Sequence, residues 1–255
     1  MRILLVNDDG WNADGIVALW STLKPHHDVF LVAPDRERSA VSHSFSLHQP
    51  IRLKQVDTQM FHTTGTPADC VYIALRHVMP TMPDLVISGV NNGPNLGQDV
   101  FYSGTVAGAR EAAIHGIPAL AVSVVGKRDF TAAAHRVAEM VEHWVEKFFL
   151  VSHISHAQRN YLLNINLADP ISQSPFVVTR LGHRNYDAAV EMRYDPRGGQ
   201  YFWIGGPEND PEQAPDSDIA AVQTGRTSIT PLSLDNTEYD VFEILAGVVA
   251  HAAKL

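Results

Sequence analysis

The sequence predicts an α/β fold: a Rossmann-like, three-layer core with a mostly parallel sheet. In the first half, short apolar runs such as residues 3–6 and 29–32 alternate with longer amphipathic segments, which is the pattern of a parallel sheet wrapped by helices. From about residue 160 the pattern changes to short strand-like runs separated by turns. We therefore expect the core to carry a C-terminal β-rich insertion or extension.

The predicted elements of the first half alternate along the chain. Buried strands are predicted at Ile3–Val6, Val29–Val32, Asp84–Ser88 and Ala119–Ser123. Helices are predicted at Gly15–Leu23, from Thr66 onward, at Ser103–His115 and from Phe130 to Phe148. The second helix has the clearest start signal, because Thr66 suits the N-cap, Pro67 the first helical position and Asp69 the positive end of the dipole. One side of it would carry Cys70, Ile73, Ala74 and His77.

The second half is expected to leave the parallel pattern. Leu162–Leu167 could still join the sheet, and further strands are predicted at Phe176–Arg180, Ala189–Tyr194 and Gln200–Ile204. An acidic, proline-containing loop is expected over residues 208–218, and a final helix over Tyr239–Ala253. The whole chain, 1–255, would be one domain with a core at about 1–170, a β-rich oligomerisation insertion at about 175–232 and a helix at about 238–254. Subunit contacts are expected in the insertion.

Composition and charge argue against several classes of protein. The 28 Asp and Glu residues against 19 Lys and Arg give a formal charge of −9, which argues against a nucleic-acid polymer as partner. The single cysteine, Cys70, excludes an intramolecular disulfide framework and a cysteine-based zinc cluster. The first apolar run is too short for a secretory signal, and no run approaches the roughly 18 apolar residues of a membrane span. We therefore expect a cytoplasmic protein without a membrane partner.

The segment Asn7-Asp8-Asp9-Gly10 directly follows the first predicted strand. It would lie at the carboxyl end of the sheet, where open α/β folds place their ligands. Two adjacent carboxylates repel each other, and a hard divalent cation would compensate that repulsion. The alternative is a turn capped by Asp8 with Asp9 in water, and the local sequence alone does not separate the two.

A charged loop, Asp35-Arg36-Glu37-Arg38-Ser39, follows the second predicted strand. Charge runs usually face solvent, so a solvated loop is the simpler interpretation. The functional alternative uses Ser39 as a neutral oxygen ligand or a phosphate donor, with an arginine nearby.

The third segment, residues 88–97 followed by 102–105, carries the most specific signals. Its glycines let the backbone pass close to a ligand, and its asparagines supply both donors and acceptors. Ser103, Gly104 and Thr105 would place N–H groups and hydroxyls at a helix N-terminus, which is a ready anion site. The spacing matches neither G-x-G-x-x-G nor G-x-x-x-x-G-K-[ST], so a dinucleotide fold or a P-loop is disfavoured.

Together these segments resemble a known family. Four motifs occur in order along the chain: V-N-D-D-G, A-P-D-R-E-R-S, T-G-T-P-A-D-C-V and S-G-V-N-N-G-P-N-L-G-x-D-x-x-Y-S-G-T-V. This order is similar to that of the SurE (stationary-phase survival) 5′-nucleotidases, and Thr179-Arg180 and residues 227–231 also resemble the family's C-terminal part. One departure lies at residues 11–15, where many members carry a proline before the glycine; it alters a turn and not a ligand.

The resemblance implies a metal-dependent phosphatase that acts on nucleoside 5′-monophosphates, and in some members on 3′-monophosphates and short polyphosphate. It also implies one divalent cation per subunit, Mg²⁺ or Mn²⁺, with ligands that correspond here to Asp8, Asp9, Ser39 and Asn91. All four are oxygen donors, which suits a hard ion. The family is known for dimers and tetramers built partly by C-terminal exchange, so a homodimer or homotetramer is expected.

On this basis we expect a metal-activated water to attack phosphorus in line, with Asp8 or Asp9 orienting that water. His43 is a candidate general acid for the leaving nucleoside oxygen, and Arg36 is a candidate phosphate ligand. The remaining phosphate oxygens would be bound by Asn95, Ser103, Gly104 and Thr105.

Two other functions stay open at this point. A phosphatase that forms an aspartyl-phosphate would use Asp8 as its nucleophile, although such enzymes usually place their two aspartates two positions apart. A non-catalytic nucleotide-binding or regulatory module would use the same pocket without turnover.

Overall fold

The structure, a computed structural model, describes residues 1–145, 161–186, 189–206 and 210–252. The strands are β1 Arg2–Val6, β2 Asp28–Pro34, β3 Leu53–Asp57, β4 Met60–Thr63, β5 Leu85–Asn91, β6 Ala119–Val124, β7 Leu162–Leu167, β8 Phe176–Val178, β9 Ala189–Tyr194, β10 Gln200–Gly205 and β11 Thr227–Leu232. The helices are α1 Asp14–Leu23, α2 Pro67–Ile73, α3 Gly104–Ile114, α4 Phe130–Met140, α5 Asp218–Gln223 and α6 Tyr239–Ala252.

The main sheet has the strand order β3-β4-β2-β1-β5-β6-β7-β11-β8 within the described part of the chain. The five strands from β2 to β7 in this order are parallel, and their residues are almost entirely buried. Successive side chains of β1 enter opposite apolar layers: Ile3 and Leu5 pack with α1 and α4, whereas Leu4 and Val6 pack with α2 and α3. The predicted three-layer α/β core is therefore confirmed.

Helix α2 begins as its sequence signals predicted. The Thr66 side chain accepts a hydrogen bond from the Asp69 N–H at 3.2 Å, and the Thr66 N–H donates to Asp69 Oδ2 at 2.9 Å, which makes a capping box. After Ile73 the helix continues as a π-helical turn over residues 74–78. The wider turn changes the phase of the helix, so His77 is exposed and its predicted place beside buried Cys70 is wrong.

The hairpin β3–β4 at one sheet edge was absent from the sequence prediction. β4 pairs parallel to β2, and β3 pairs antiparallel to β4. Most of β3 is exposed, and its sequence LKQVD has no apolar run that would indicate a buried strand. Its strand conformation depends on pairing with a distant segment, which local sequence does not reveal.

The second half divides differently from the predicted core and insertion. β7 joins the main sheet parallel to β6, and β11 and β8 follow it in the same sheet although both fall within residues 175–232. Only β9 and β10 form the separate antiparallel sheet, which we call the arm. Asp218, which the sequence placed in a loop, instead begins α5 after the N-cap Ser217. The predicted residues 146–148 and 253 of the two long helices lie outside the described residues.

Large apolar side chains stay exposed on the arm and on α6. Trp203 and Ile204 of the arm, and Phe242, Leu245 and Val248 of α6, are each more than half exposed. Among the described helices, none is both long and apolar enough to cross a membrane. These surfaces lack an apolar cover within the described part of a single chain.

Candidate functional site

A pocket of about 340 Å³ lies at the carboxyl ends of β1 and β5. This is the edge of an open α/β sheet at which ligands bind. The predicted site residues that line it are Asp8, Asp9, Ser39, Asn91, Asn95 and Ser103. Three separate sequence motifs therefore meet at one place.

Asp8 is held on the first turn of α3. Its carboxylate is 5% exposed, and its Oδ1 accepts a hydrogen bond from the Thr105 hydroxyl at 2.5 Å. Gly104 packs directly on it, since a Cβ at position 104 would lie 2.8 Å from both the Cβ and Oδ2 of Asp8. Burial raises the pKa of Asp8, while hydrogen bonds from Thr105 act in the opposite direction. The anion that occupies the N-terminus of α3 is therefore the chain's own Asp8.

This geometry gives Gly104 and Thr105 a place different from the predicted one. Thr105 is fully buried, and its hydroxyl is committed to Asp8. The Ser103 hydroxyl caps α3 by accepting from the Val106 N–H at 3.0 Å. Of the three predicted phosphate ligands at this helix start, Ser103 lines the pocket, whereas Gly104 and Thr105 do not. Gly104 and Thr105 thus position Asp8 and do not line the space that a phosphate would enter.

Asp9 is the more accessible of the two aspartates. Its Oδ2 accepts from the Asn92 N–H at 3.4 Å. Burial and the neighbouring charge of Asp8 raise the pKa of Asp9 to about 6, and the charge of Arg128 acts in the opposite direction. Neither aspartate forms an ion pair with a cationic side chain of the described residues. The pair is therefore a negative centre without an ion-pair partner among the described residues.

The two neutral site residues present oxygen lone pairs. Asn91 Nδ2 donates to the carbonyl of Gly93 at 2.8 Å, which leaves its amide oxygen available. The Ser39 hydroxyl donates its hydrogen to Glu37 Oε1 at 2.6 Å, which leaves its lone pairs available. Each side chain thus donates a hydrogen bond to the protein, and its oxygen atom is available to bind a cation.

This donor set fits a hard divalent cation. Two carboxylates, one hydroxyl and one amide oxygen match the oxygen ligands that Mg²⁺ and Mn²⁺ prefer. Within the ranges that the structure describes, no three His, Cys, Asp or Glu side chains are grouped to hold a metal. The neutral oxygens of Ser39 and Asn91, together with water, would therefore have to complete the coordination.

Asn95 anchors the pocket loop to the sheet. Its side chain is 6% exposed and donates from Nδ2 to the Ser123 hydroxyl at 2.8 Å. Its backbone carbonyl accepts from the side chains of Asn164 and Asn166, at 2.8 and 3.0 Å. Asn95 also lines the pocket, and these bonds fix the loop to β6 and β7.

His43 and Arg36 are not brought into this pocket. His43 Nε2 lies 2.9 Å from Glu111 Oε2, and the histidine lines a neighbouring cavity with Phe101 and Arg110. Arg36 is exposed and does not line the pocket. The predicted roles as general acid and phosphate ligand therefore find no support in the positions of these side chains.

The pocket is also lined by residues that were not predicted as site residues, among them Glu37, Asp99 and Tyr102. Glu37 was part of the charge run, and its hydrogen bond to Ser39 distinguishes it from a solvated glutamate. Asp99 and Tyr102 lie inside the fourth motif, so their spacing from Ser103 was a signal that could have found them.

Comparisons with known proteins agree with the motifs. The family model described as Survival protein SurE matches residues 3–188. A protein of Pelotomaculum thermopropionicum named 5′-nucleotidase SurE is 44% identical over 263 residues, which cover 100% of this chain and 98% of that protein. A protein of Proteus mirabilis named 5′/3′-nucleotidase SurE is 41% identical and covers 96% of this chain and 94% of its own length.

A solved structure is also similar. The crystal structure of SurE protein from Aquifex aeolicus superposes with a TM-score of 0.82 at 38% sequence identity, covering 97% of this chain and 99% of that one. Sequence and fold thus agree over nearly the full length, and the chain belongs to the SurE family.

Proposed function

We propose that this chain is a metal-dependent phosphomonoesterase that hydrolyses nucleoside 5′-monophosphates to nucleoside and phosphate. One observation carries the proposal: two adjacent carboxylates, without an ion-pair partner among the described residues, share an open pocket with two neutral oxygen donors. The names of its relatives support the same activity, and the 5′/3′ name of one of them supports 3′-monophosphates as further substrates. Short polyphosphate would fit the same chemistry.

The proposed cofactor is one Mg²⁺ or Mn²⁺ per subunit, held by Asp8, Asp9, Ser39 and Asn91. When bound, such an ion supplies a Lewis acid for a phosphate oxygen and an activated water. Asp8 is the fixed ligand, because Thr105 and the N-terminus of α3 hold its carboxylate.

The remaining residues orient the reactants. Asp9 is better placed than Asp8 to accept a proton from the attacking water, since it is more exposed and its hydrogen bond from the Asn92 N–H is long. Asn95 and Ser103 form the polar wall beside the two aspartates. They would contact the phosphate oxygens that face away from the metal site.

The aspartyl-phosphate alternative requires Asp8 to be a free nucleophile. Its 5% exposure and the hydrogen bond from Thr105 both disfavour that role. Acid quenching of the protein during turnover with ³²P-labelled AMP tests it directly. We expect no label on the protein, whereas a phosphorylated Asp8 would contradict the proposed hydrolysis by water.

The assay that tests the function measures phosphate release from a panel of substrates: 5′-AMP, 3′-AMP, other 5′-mononucleotides and short polyphosphate, each with Mg²⁺ and then with Mn²⁺. We expect 5′-mononucleotides to be hydrolysed with at least one of these ions. Nucleotide binding without phosphate release under any of these conditions would leave only a binding module.

We also propose a homodimer or homotetramer. The exposed apolar side chains of the arm and of α6 would be buried by a second copy of the chain, and apolar burial drives such association. Light scattering should therefore give a mass of at least twice 28.0 kDa. A mass equal to one chain would contradict the proposal.

Cytoplasmic localisation stays a prediction.

A further inference from the structure

Asp99 adds another carboxylate to the wall of the candidate site, which already contains Asp8, Asp9 and Glu37. A phosphate monoester carries up to two negative charges at neutral pH, so each unmasked carboxylate opposes its entry. The metal ligands are masked by the cation when it is bound. Glu37 and Asp99 are not in that ligand set. Glu37 accepts a hydrogen bond from the Ser39 hydroxyl, whereas Asp99 has a cationic partner.

The segment 181–186, which precedes the arm, provides that partner; we call it the arm base. Arg184 Nη1 lies 3.0 Å from Asp99 Oδ2, and the arginine side chain is 6% exposed. The Tyr186 hydroxyl donates to Asp99 Oδ1 at 2.8 Å. Burial and this hydrogen bond raise the pKa of Tyr186 to about 12, so the phenol remains a donor at any working pH. Both carboxylate oxygens of Asp99 are therefore bound from the side of the arm base.

Further hydrogen bonds join the arm base to the turn that carries Asp99. The Arg184 N–H donates to Gln98 Oε1 at 2.7 Å. Buried Asp218 accepts from the Gly97 N–H at 2.9 Å and from the Gly182 N–H at 2.7 Å. The turn and the arm base are thus fixed to each other at several points, and the ion pair is held in place by the fold.

We propose that Arg184 is a specificity-determining residue that acts through Asp99: its charge masks the carboxylate so that a phosphate dianion can enter the pocket. The inference rests on the proposed function, because it concerns the same substrate class. Arg184 also approaches Asp210, with Nε 3.5 Å from Oδ2, but Asp210 does not line the pocket. Between Asp99 and Asp210, only Asp99 lines the pocket.

The test compares Arg184→Gln, Asp99→Asn and the double variant in steady-state hydrolysis of 5′-AMP. If charge masking is the role, KM follows the charge of the pair. We expect Arg184→Gln to raise KM about tenfold, Asp99→Asn to bring KM below the wild-type value, and the double variant to return close to wild type. The kcat should change by less than about threefold in each. The differences in KM between the variants and wild type should shrink as the salt concentration rises from 10 to 150 mM, because the Debye length falls from about 30 to about 8 Å.

A purely structural ion pair predicts a different result. In that case every variant would have a higher KM than wild type. The double variant would not recover the wild-type KM, and the differences would not depend on salt. A raised KM in Asp99→Asn, an unchanged KM in Arg184→Gln, or a double variant no better than Arg184→Gln would each overturn the proposal. If Arg184→Gln does not fold, Asp99→Asn alone tests the proposal, because the proposal requires its KM to be lower than that of wild type.

Binding of inorganic phosphate separates this inference from the proposed function. Isothermal titration of the Mg²⁺-supplemented proteins with phosphate should give dissociation constants in the order Asp99→Asn, wild type, Arg184→Gln, from tightest to weakest. If the dissociation constants follow this order but the protein releases no phosphate from AMP, the masking role of Arg184 stands and the proposed activity is rejected. If turnover is normal but the dissociation constants do not follow this order, the activity stands and the masking role is rejected.

Discussion

Replacing Asp9 with Asn is expected to abolish tight cation binding and to lower kcat/KM for 5′-AMP by about 10³-fold or more. The substitution removes one of two carboxylate ligands and the better placed proton acceptor, while it keeps the size of the side chain. Titration with Mn²⁺ and steady-state phosphate release measure the two effects.

The melting temperature of Asp9→Asn shows whether its loss of cation binding and turnover results from unfolding. Asp9 and Asp8 repel each other in a largely buried place, so removing one charge should not lower the melting temperature of the metal-free protein. Asp14→Asn is the matched control, because Asp14 is exposed in the first turn of α1 and lies outside the pocket wall. It should retain normal turnover. Wild-type affinity for Mn²⁺ in Asp9→Asn would remove Asp9 from the site.

Gly104→Ala is expected to lower kcat by about 10²-fold and to destabilise the fold by about 1–3 kcal/mol. The new Cβ would lie 2.8 Å from the Cβ and Oδ2 of Asp8, so the carboxylate has to move from its place on α3. Helix propensity alone predicts that the substitution stabilises the fold, since alanine is favoured over glycine by about 1 kcal/mol in a helix. Urea denaturation and steady-state kinetics measure both effects.

Gly205→Ala provides the control for that substitution. A Cβ at Gly205 would meet no atom of the described residues within 4 Å, and its backbone is not in the left-handed region. We expect wild-type turnover from this variant. A Gly104→Ala protein that is both more stable than wild type and fully active would show that Asp8 has room to shift, against the close packing described here.

The fold was predictable from sequence where local signals are sufficient. The buried apolar runs of β1 and β6, the N-cap Thr66 and the helix predicted at Ser103–His115 agree with the observed elements to within one or two residues. The hairpin β3–β4 and the return of β8 and β11 to the main sheet were not predicted. These features depend on pairing between distant segments, which short-range periodicity does not encode.

The site shows the same division. The family resemblance implied that Asp8, Ser39 and Asn91 bind one cation. In the structure the three residues lie at or beyond the carboxyl ends of β1, β2 and β5 and line one pocket, because the parallel strands end at one edge of the sheet. The direction of side chains was not predictable: Thr105 faces Asp8, and His43 faces Glu111. Family resemblance identified which residues gather near the site, but only coordinates show which of them face the pocket.

The net charge of −9 also has a more specific consequence. The sequence suggested that the cation, a helix N-terminus and Arg36 or Arg38 would attract the nucleotide. In the structure the N-terminus of α3 is occupied by Asp8, and neither arginine lines the pocket. Masking of Asp99 by Arg184 therefore becomes one of the few local means by which this acidic chain could admit a phosphate.

The most direct test of the central claim measures metal content and phosphate release on one sample. After treatment with EDTA and gel filtration, the protein should contain no divalent metal and release no phosphate from 5′-AMP. Adding Mg²⁺ or Mn²⁺ should restore turnover with one ion bound per chain, whereas Asp9→Asn should regain neither. Phosphate release at the wild-type rate from demonstrably metal-free protein would contradict the account.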